Sequence, residues 1–423
     1  MFFDPLPLLL VCAGIYLLIK LRAFYILHPF RSFGEAFGYL KDPENLRSFT
    51  LALAGTLGVG NVLGVAVGLT VGGRGSVLWL FISAIPASVL KYSECALASS
   101  RAKDDRGGMF YCIRDLLGRP GATLSVIYAV ACFLLSLVMG ASIQTRTVVD
   151  SAALCLGVPS LTVATASVAL VLISIVGGGK IIKRITSVCI PITTIIYIIV
   201  AVSMVFSSRD RLPDVLHGIW NDAFSPLAGV GGALGLLTSR ALSEGFARGM
   251  LSNEAGAGTS SLGHTSGGAA SHRVKGLFGV LEVFFDTTVL CMLTALAILV
   301  TVDDISVYHS GMELVMHAAS VSLGKGAAIT VFISVLSFAY STVICWYYYG
   351  GECIRQLTGR SSRLFLPLYL LFVFLGGFVF ESLLIALADA LLLVLTLLTL
   401  PTLIKSSDRL FILSELDKYD NKG

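Results

Sequence analysis

The run Gly55-Thr-Leu-Gly-Val-Gly-Asn61 sits inside an apolar stretch long enough to cross a membrane. Each glycine in a helix interior costs roughly 1 kcal/mol relative to alanine. In hydrocarbon, a freed backbone N–H or C=O must find a partner within the protein or line a cavity. The N–H end of such a break carries partial positive charge and suits a carboxylate, and the C=O end suits an ammonium group or a sodium ion. A zwitterion can therefore be held with no formal protein charge. A second interruption, Ser252-Asn-Glu-Ala-Gly-Ala-Gly-Thr-Ser260, follows a later apolar run. Gly58 and Gly60 are two apart and share no helix face, which favours an opened backbone over a packing stripe. Gly64, Gly68 and Gly72 recur every fourth residue and read as a face for close helix approach.

Polar residues near these breaks are the next candidates. Asn61 and Asn253 each offer a donor and an acceptor, either to a solute or to loose backbone groups, and Asn253 is the one that favours a site. Gln144 serves as a solute contact or as interhelical glue. The adjacent hydroxyls of Ser341 and Thr342, with free carbonyls, can complete an oxygen shell for a small hard cation, or can bond back to their own helix. Trp346 reads equally as an interfacial aromatic. Arg240 and Glu244 are spaced to neutralise each other, and Lys91 and Glu94 read as a structural pair. Asp286 and Asp389 are intramembrane acids, candidates by default. Nine dispersed cysteines form no CxxC pair, and no HExxH, phosphate-binding loop or GxSxG elbow is present. These absences leave an enzyme without a nucleophile–base pair or metal spacing.

The elements that must carry these residues are membrane helices. The 423 residues are 56% hydrophobic and 13% charged, against about 25% charged in soluble domains. Apolar runs suited to a core about 30 Å thick cover 6–27, 49–72, 76–99, 121–148, 158–178, 185–207, 229–251, 275–300, 327–350, 364–380 and 382–404. The first lacks a basic leader and reads as a retained helix rather than a signal peptide. Lys and Arg concentrate in alternate connections, for example Arg101, Arg106, Arg114 and Arg119, then Lys180, Lys183 and Arg184. That bias places the N-terminus outside and the C-terminus in the cytoplasm. The basic residues follow a membrane side and form no patch, so nucleic-acid binding has no support. Setting aside the first helix leaves five and five, 49–207 and 229–404, and an odd number per half inverts the second half. The expected organisation is an N-terminal helix with a cytoplasmic linker (1–48), a first repeat (49–207), an extracellular connection (208–228), a second repeat (229–404) and a cytoplasmic tail (405–423).

These motifs resemble the sodium:alanine (alanine/glycine:cation) symporter family over residues 50 to 404. The most specific piece is Gly245-Phe-Ala-Arg-Gly-Met-Leu-Ser-Asn-Glu-Ala-Gly-Ala-Gly258, with Leu251 where the family has Phe. Supporting pieces are the first break, Gly107-Gly-Met-Phe-Tyr111, Gly178-Gly-Lys-Ile-Ile-Lys-Arg184, Val283-Phe-Phe-Asp-Thr287 and Phe338-Ala-Tyr-Ser-Thr342 with Trp346. The resemblance implies an all-α, leucine-transporter-like inverted repeat with one extra N-terminal helix, eleven spans in all. It implies symport of a small neutral amino acid, alanine or glycine, with sodium as coupling ion and no cofactor. The solute would touch Gly58, Val59, Gly60, Asn61, Gln144, Asn253 and Trp346. Sodium would sit among Gly55, Thr56, Ser341 and Thr342. Departures are Val59, Ala141, Arg146, Arg74 and Thr402. Arg146 can attract an acidic solute, replace a coupling cation or snorkel to the outer interface. The rival readings are proton-coupled or cation-independent transport of another small amino acid, with Asp286 or Glu254 changing protonation in the proton-coupled case, and a degenerate sensor that binds solute without moving it.

Overall fold

The computed structural model describes residues 5–102, 106–225, 240–308 and 310–415, and every regular element among them is helical. The first run does not form one helix. Helix α1 (Pro5–Lys20) ends where Arg22 and Ala23 take positive φ, and the short α2 (Phe24–Leu27) and α3 (Pro29–Tyr39) follow. A left-handed pair of non-glycine residues breaks the helix there, which a hydropathy window cannot register.

Helix α4 (Pro43–Thr56) starts six residues before the apolar run. Asp42 caps it by accepting from the Glu44 and Asn45 N–H groups, and Pro43 occupies its first position, where no N–H is needed. A single 3₁₀ turn (Val59–Asn61) separates it from α5 (Leu63–Gly72). Then come α6 (Ser76–Ser99), α7 (Met109–Leu116) and α8 (Gly121–Leu135), which continues through a π-helical stretch (Ser136–Ile143) into α9 (Gln144–Leu156). Helices α10 (Ser160–Ile175) and α11 (Gly178–Ser207) complete the first half. The connection that follows is itself partly helical, as α12 (Leu212–Ala223), and Arg74 pairs with its Asp222 at 2.5 Å.

The expected run 229–251 lies outside the described residues up to 239, and α13 (Arg240–Ser252) occupies the rest. Beyond the second break stand α14 (Ser261–His264) and α15 (His272–Val283), whose π-helical extension (Phe284–Cys291) leads into α16 (Met292–Thr301). The chain ends with α17 (Gly311–Leu323), α18 (Lys325–Thr358), α19 (Phe365–Gly376), α20 (Glu381–Lys405) and α21 (Ser407–Glu415).

Six continuous helices among the described residues are long and apolar enough to cross a membrane, and four apolar helices are shorter. On α11, Val188, Ile192, Ile195, Ile199, Val202 and Phe206 form an exposed stripe. Their alternating spacing of four and three puts an apolar face outward, as lipid requires and water would penalise. Helix α6 packs between α13 and α15, and α18 packs against α4, α8 and α11. Both interrupted segments are thereby gripped by long unbroken helices.

Candidate solute and ion site

The last turn of α4 exposes carbonyls, and one face of α18 meets them. Thr342, Cys345, Trp346 and Tyr349 fall at helical spacing on that face. Cys345 Sγ lies 3.0 Å from Leu51 O, and Trp346 Nε1 donates to Gly55 O at 3.2 Å. Gly55 is closely covered: a Cβ there would stand 3.1 Å from the Tyr349 ring and 3.3 Å from Cys345 Sγ. Trp346 is fully buried and is not an interfacial aromatic. It fits because Gly140, in the first π-helical stretch, presents no side chain: a Cβ there would lie 2.2 Å from Trp346 Cβ.

Thr342 Oγ1 lies 2.9 Å from Ala54 O, 3.3 Å from Leu57 O and 2.9 Å from Phe338 O. One hydroxyl proton serves one of these oxygens well. With the proton on Phe338 O of its own helix, the hydroxyl oxygen faces Ala54 O and Leu57 O with no hydrogen between them. The buried Ser341 Oγ beside it has no hydrogen-bond partner among the described residues. Such a nest of hard oxygens without donors fits a small cation. Of the sodium set expected from sequence, Thr342 stands here, and Ser341 is the preceding residue of α18. Gly55 O and Thr56 O do not stand here, being engaged by Trp346 Nε1 and by the Gly58 N–H at 2.8 Å. Ala54 and Leu57 supply the free carbonyls.

Against the other end of the break lies a cavity of about 170 Å³. Gly55, Thr56, Gly58, Val59, Gly60 and Gly64 form its backbone wall, and Gln144, Arg248, Ser252 and Asp389 are its polar side chains. Gly60 and Gly64 have open space where a Cβ would stand. Gly58 does not: a Cβ would meet Thr342 Oγ1 at 3.2 Å and the Gln144 amide at 3.3 Å. The first N–H groups of α5 have no intrahelical partner and mark this end as the anion-favouring one. Gln144 is placed to contact a solute, its nearest backbone contacts being long, 3.5 Å to the Val59 N–H and 3.5 Å to Met139 O. The volume is below the roughly 300–1,000 Å³ of sites for drug-sized ligands.

Asn61, Asn253 and Trp346 do not line this cavity. Asn61 donates through Nδ2 to Asp286 Oδ1 at 2.5 Å. Asn253 donates to Gly249 O at 2.6 Å and to Thr287 Oγ1 at 3.0 Å, and accepts from the Ala255 N–H at 3.0 Å. Thr287 in turn donates to Asp286 Oδ2 at 2.8 Å, and Ser252 Oγ reaches the same oxygen at 3.2 Å. The second π-helical stretch thus ties both breaks together through two adjacent residues. The second break is also filled: Tyr128 donates to Ala257 O at 2.8 Å and Glu94 accepts from the Gly256 N–H at 2.5 Å. The cavity's backbone wall belongs to the first break, and of the second break Ser252 reaches it.

Two expected pairings change, and Arg146 gains one that sequence did not offer. Lys91 pairs with Glu282 at 3.1 Å rather than with Glu94, because α15 packs directly on α6. Glu244 pairs with Arg248 at 3.4 Å rather than with Arg240. Arg146 pairs with Asp150 at 2.7 Å and reaches Gly377 O at 3.3 Å. The glycine stripe has a specific use: Gly68 and Gly72 leave room for the stems of Arg248 and Glu244, whose atoms lie within 2.9 Å and 2.8 Å of the absent Cβ positions. Sequence reasoning missed Arg248 and Ser252 as cavity residues, although their spacing of four, in phase with the break, was available.

A profile described as the sodium:alanine symporter family matches residues 1–422. An uncharacterised transporter of Haemophilus influenzae is 30% identical over 397 residues, covering 91% of this chain and 87% of its own. A sodium/alanine symporter of Methanococcus maripaludis is 29% identical over 350 residues, covering 79% and 76%. Among solved structures, a manganese transporter of Eremococcus coleocola superposes with a TM-score of 0.58 at 12% identity, over 86% of this chain and 76% of that one. That likeness concerns the fold alone.

Proposed function

The chain belongs to the sodium:alanine symporter family, and on that footing we propose that it carries a small neutral amino acid into the cell together with sodium. It is a membrane transporter rather than an enzyme, as the family is one of symporters. The observation that carries the reading is the division of labour at the first break. On one side, Ala54 O, Leu57 O and Thr342 offer oxygens to a cation, with the unpartnered Ser341 hydroxyl on the same helix. On the other, Gly58, Val59, Gly60 and Gln144 line a cavity that fits a small zwitterion.

Sodium, on this reading, neutralises facing carbonyls and fixes the end of α4, which orders Gly58–Gly60 for the solute. Linkage then requires solute to tighten sodium by the same factor. The two five-helix repeats, 49–207 and 229–404, each open on an interrupted segment, and a bundle holding both would rock against the remaining helices. With the N-terminus outside, as the Lys and Arg bias argues, α5 is the outer half of its span. The cavity then faces outward, and Trp346 and Tyr349 close the inner side. Asn61 and Asn253 act in this scheme as the ties that keep the breaks in register.

Arg248 and Asp389 favour a second reading of the substrate. A methyl or hydrogen side chain has no use for two charged cavity residues, whereas a small polar side chain does. Proteoliposome uptake of radiolabelled alanine and glycine, with and without an inward sodium gradient, tests the main reading; competition by serine and glutamine tests the second. Accumulation that ignores the sodium gradient would remove the coupling, and binding without accumulation would leave a sensor.

A further inference from the structure

A second polar cluster lies beside the filled break, built from α6, residues 254–260, α14 and α15. Its three carboxylates, Glu94, Glu254 and Glu282, are at most 3% exposed. Glu282 is fully served: Lys91 Nζ stands 3.1 Å from Oε1, Ser260 Oγ donates to the same oxygen at 2.7 Å, and His264 Nε2 meets Oε2 at 2.7 Å. The single ammonium of the cluster is spent there. Glu94 Oε1 accepts only from backbone, and Glu254 Oε2 accepts from Thr259 at 2.5 Å. The second oxygens of both, Glu94 Oε2 and Glu254 Oε1, are buried with no partner among the described residues.

Among the described residues, no cation forms an ion pair with Glu94 or Glu254; the salt bridges of the cluster go to Glu282. Cys95 of α6, Tyr128 of α8, and Cys345 and Tyr349 of α18 face the cluster and bring no positive charge. Lys275 of α15 holds its ammonium at Gly267 O and Ser48 Oγ. Asp286 adds a further acid with neutral partners. Even with His264 charged, three carboxylates face two cations. A buried carboxylate without a counter-charge costs several kcal/mol and neutralises by taking a proton.

We propose that Glu94 and Glu254 form a proton-binding site beside the second break, separate from the solute cavity and loaded in this conformation. Both carboxyls serve one backbone segment, Glu94 through the Gly256 N–H and Glu254 from within it, and each keeps one buried oxygen without a partner among the described residues. The site is coupled to the backbone that must move. Glu254 holds a left-handed conformation, φ 53°, that a non-glycine residue adopts only when its surroundings enforce it. Glu94 bonds the Gly256 N–H of the same segment. Opening this segment to water would stabilise the carboxylates and release the proton. The inference deepens the carrier reading and rests on it only for the opening motion.

Infrared difference spectra of the purified full-length protein between acid and alkaline pH test the site. The wild type is expected to show a protonated carboxyl band at neutral pH that Glu94→Gln and Glu254→Gln each diminish. Glutamine copies the neutral acid, so both variants keep alanine affinity within about 3-fold and melt close to the wild type. Glu282→Gln strands Lys91 and lowers the melting temperature by on the order of 10 °C. Equal destabilisation by all three changes, or a carboxyl band that neither Glu94→Gln nor Glu254→Gln alters, would overturn the proposal. Sodium-driven alanine uptake is measured on the same wild-type preparation. Uptake without the band removes the proton site and leaves the carrier; the band without uptake does the reverse.

Discussion

Replacing Thr342 by valine removes one hydroxyl and keeps the shape of the side chain. Three carbonyls lie near that hydroxyl, and they lose unequally. Phe338 O keeps the helix bond from the backbone N–H four residues on, so its loss is small. Ala54 O and Leu57 O, at 2.9 Å and 3.3 Å, lose the oxygen that would share a cation with them. An unsatisfied buried polar group costs about 1–3 kcal/mol, which corresponds to a rise of roughly 5- to 150-fold in half-saturating sodium. At saturating sodium, uptake should recover most of its maximal rate. By linkage, alanine should bind more weakly at low sodium and near normally at high sodium. Thr342→Ser keeps the oxygen and should stay within about 3-fold of wild type. The assay is the sodium dependence of alanine uptake and of equilibrium alanine binding. A valine variant with wild-type sodium dependence would refute the placement of the ion at Thr342, as would valine and serine variants that fail alike.

Gly140→Ala puts a Cβ 2.2 Å from Trp346 Cβ, so thermal stability should fall by about 1–3 kcal/mol and uptake should drop with it. Asn253→Ala removes the bonds to Gly249 O and Thr287. Its melting temperature should fall by more than its alanine affinity changes, since the residue does not reach the cavity, and ligand binding read beside a melting curve separates the two. Arg146→Ala should leave alanine uptake within about 2-fold, because its guanidinium is engaged by Asp150 and Gly377 O; an order-of-magnitude loss would assign it a role in the solute path.

The sequence made the first break legible because glycine cost and hydrocarbon burial both speak through residue type. Gly58, Gly60 and Gln144 duly line the cavity. Helix ends were less visible. Hydropathy marks the part in hydrocarbon, whereas α4 and α11 begin six and seven residues earlier among polar and basic residues of the connections. The carbonyls that face Thr342 are those of Ala54 and Leu57, on either side of Gly55 and Thr56, and a carbonyl carries no side-chain signature that would single them out. Asn61 and Asn253 read from sequence as solute contacts or as partners of loose backbone, with Asn253 favouring the solute; their bonds to Asp286 and Thr287 run through a third element whose approach no spacing along the chain encodes. Charge pairs fared worst: Lys91 finds its counter-ion 191 positions away.

The fit of Arg248 and Glu244 into the recesses at Gly68 and Gly72 has a mechanical corollary. Two half-spans from the two halves of the chain mesh there like teeth, with little slack for one to slide past its mate. Any tilt that admits or expels cargo must therefore take both as one lever. A methyl group at position 68 would then slow turnover without weakening occupancy, by jamming the gearing rather than the seat.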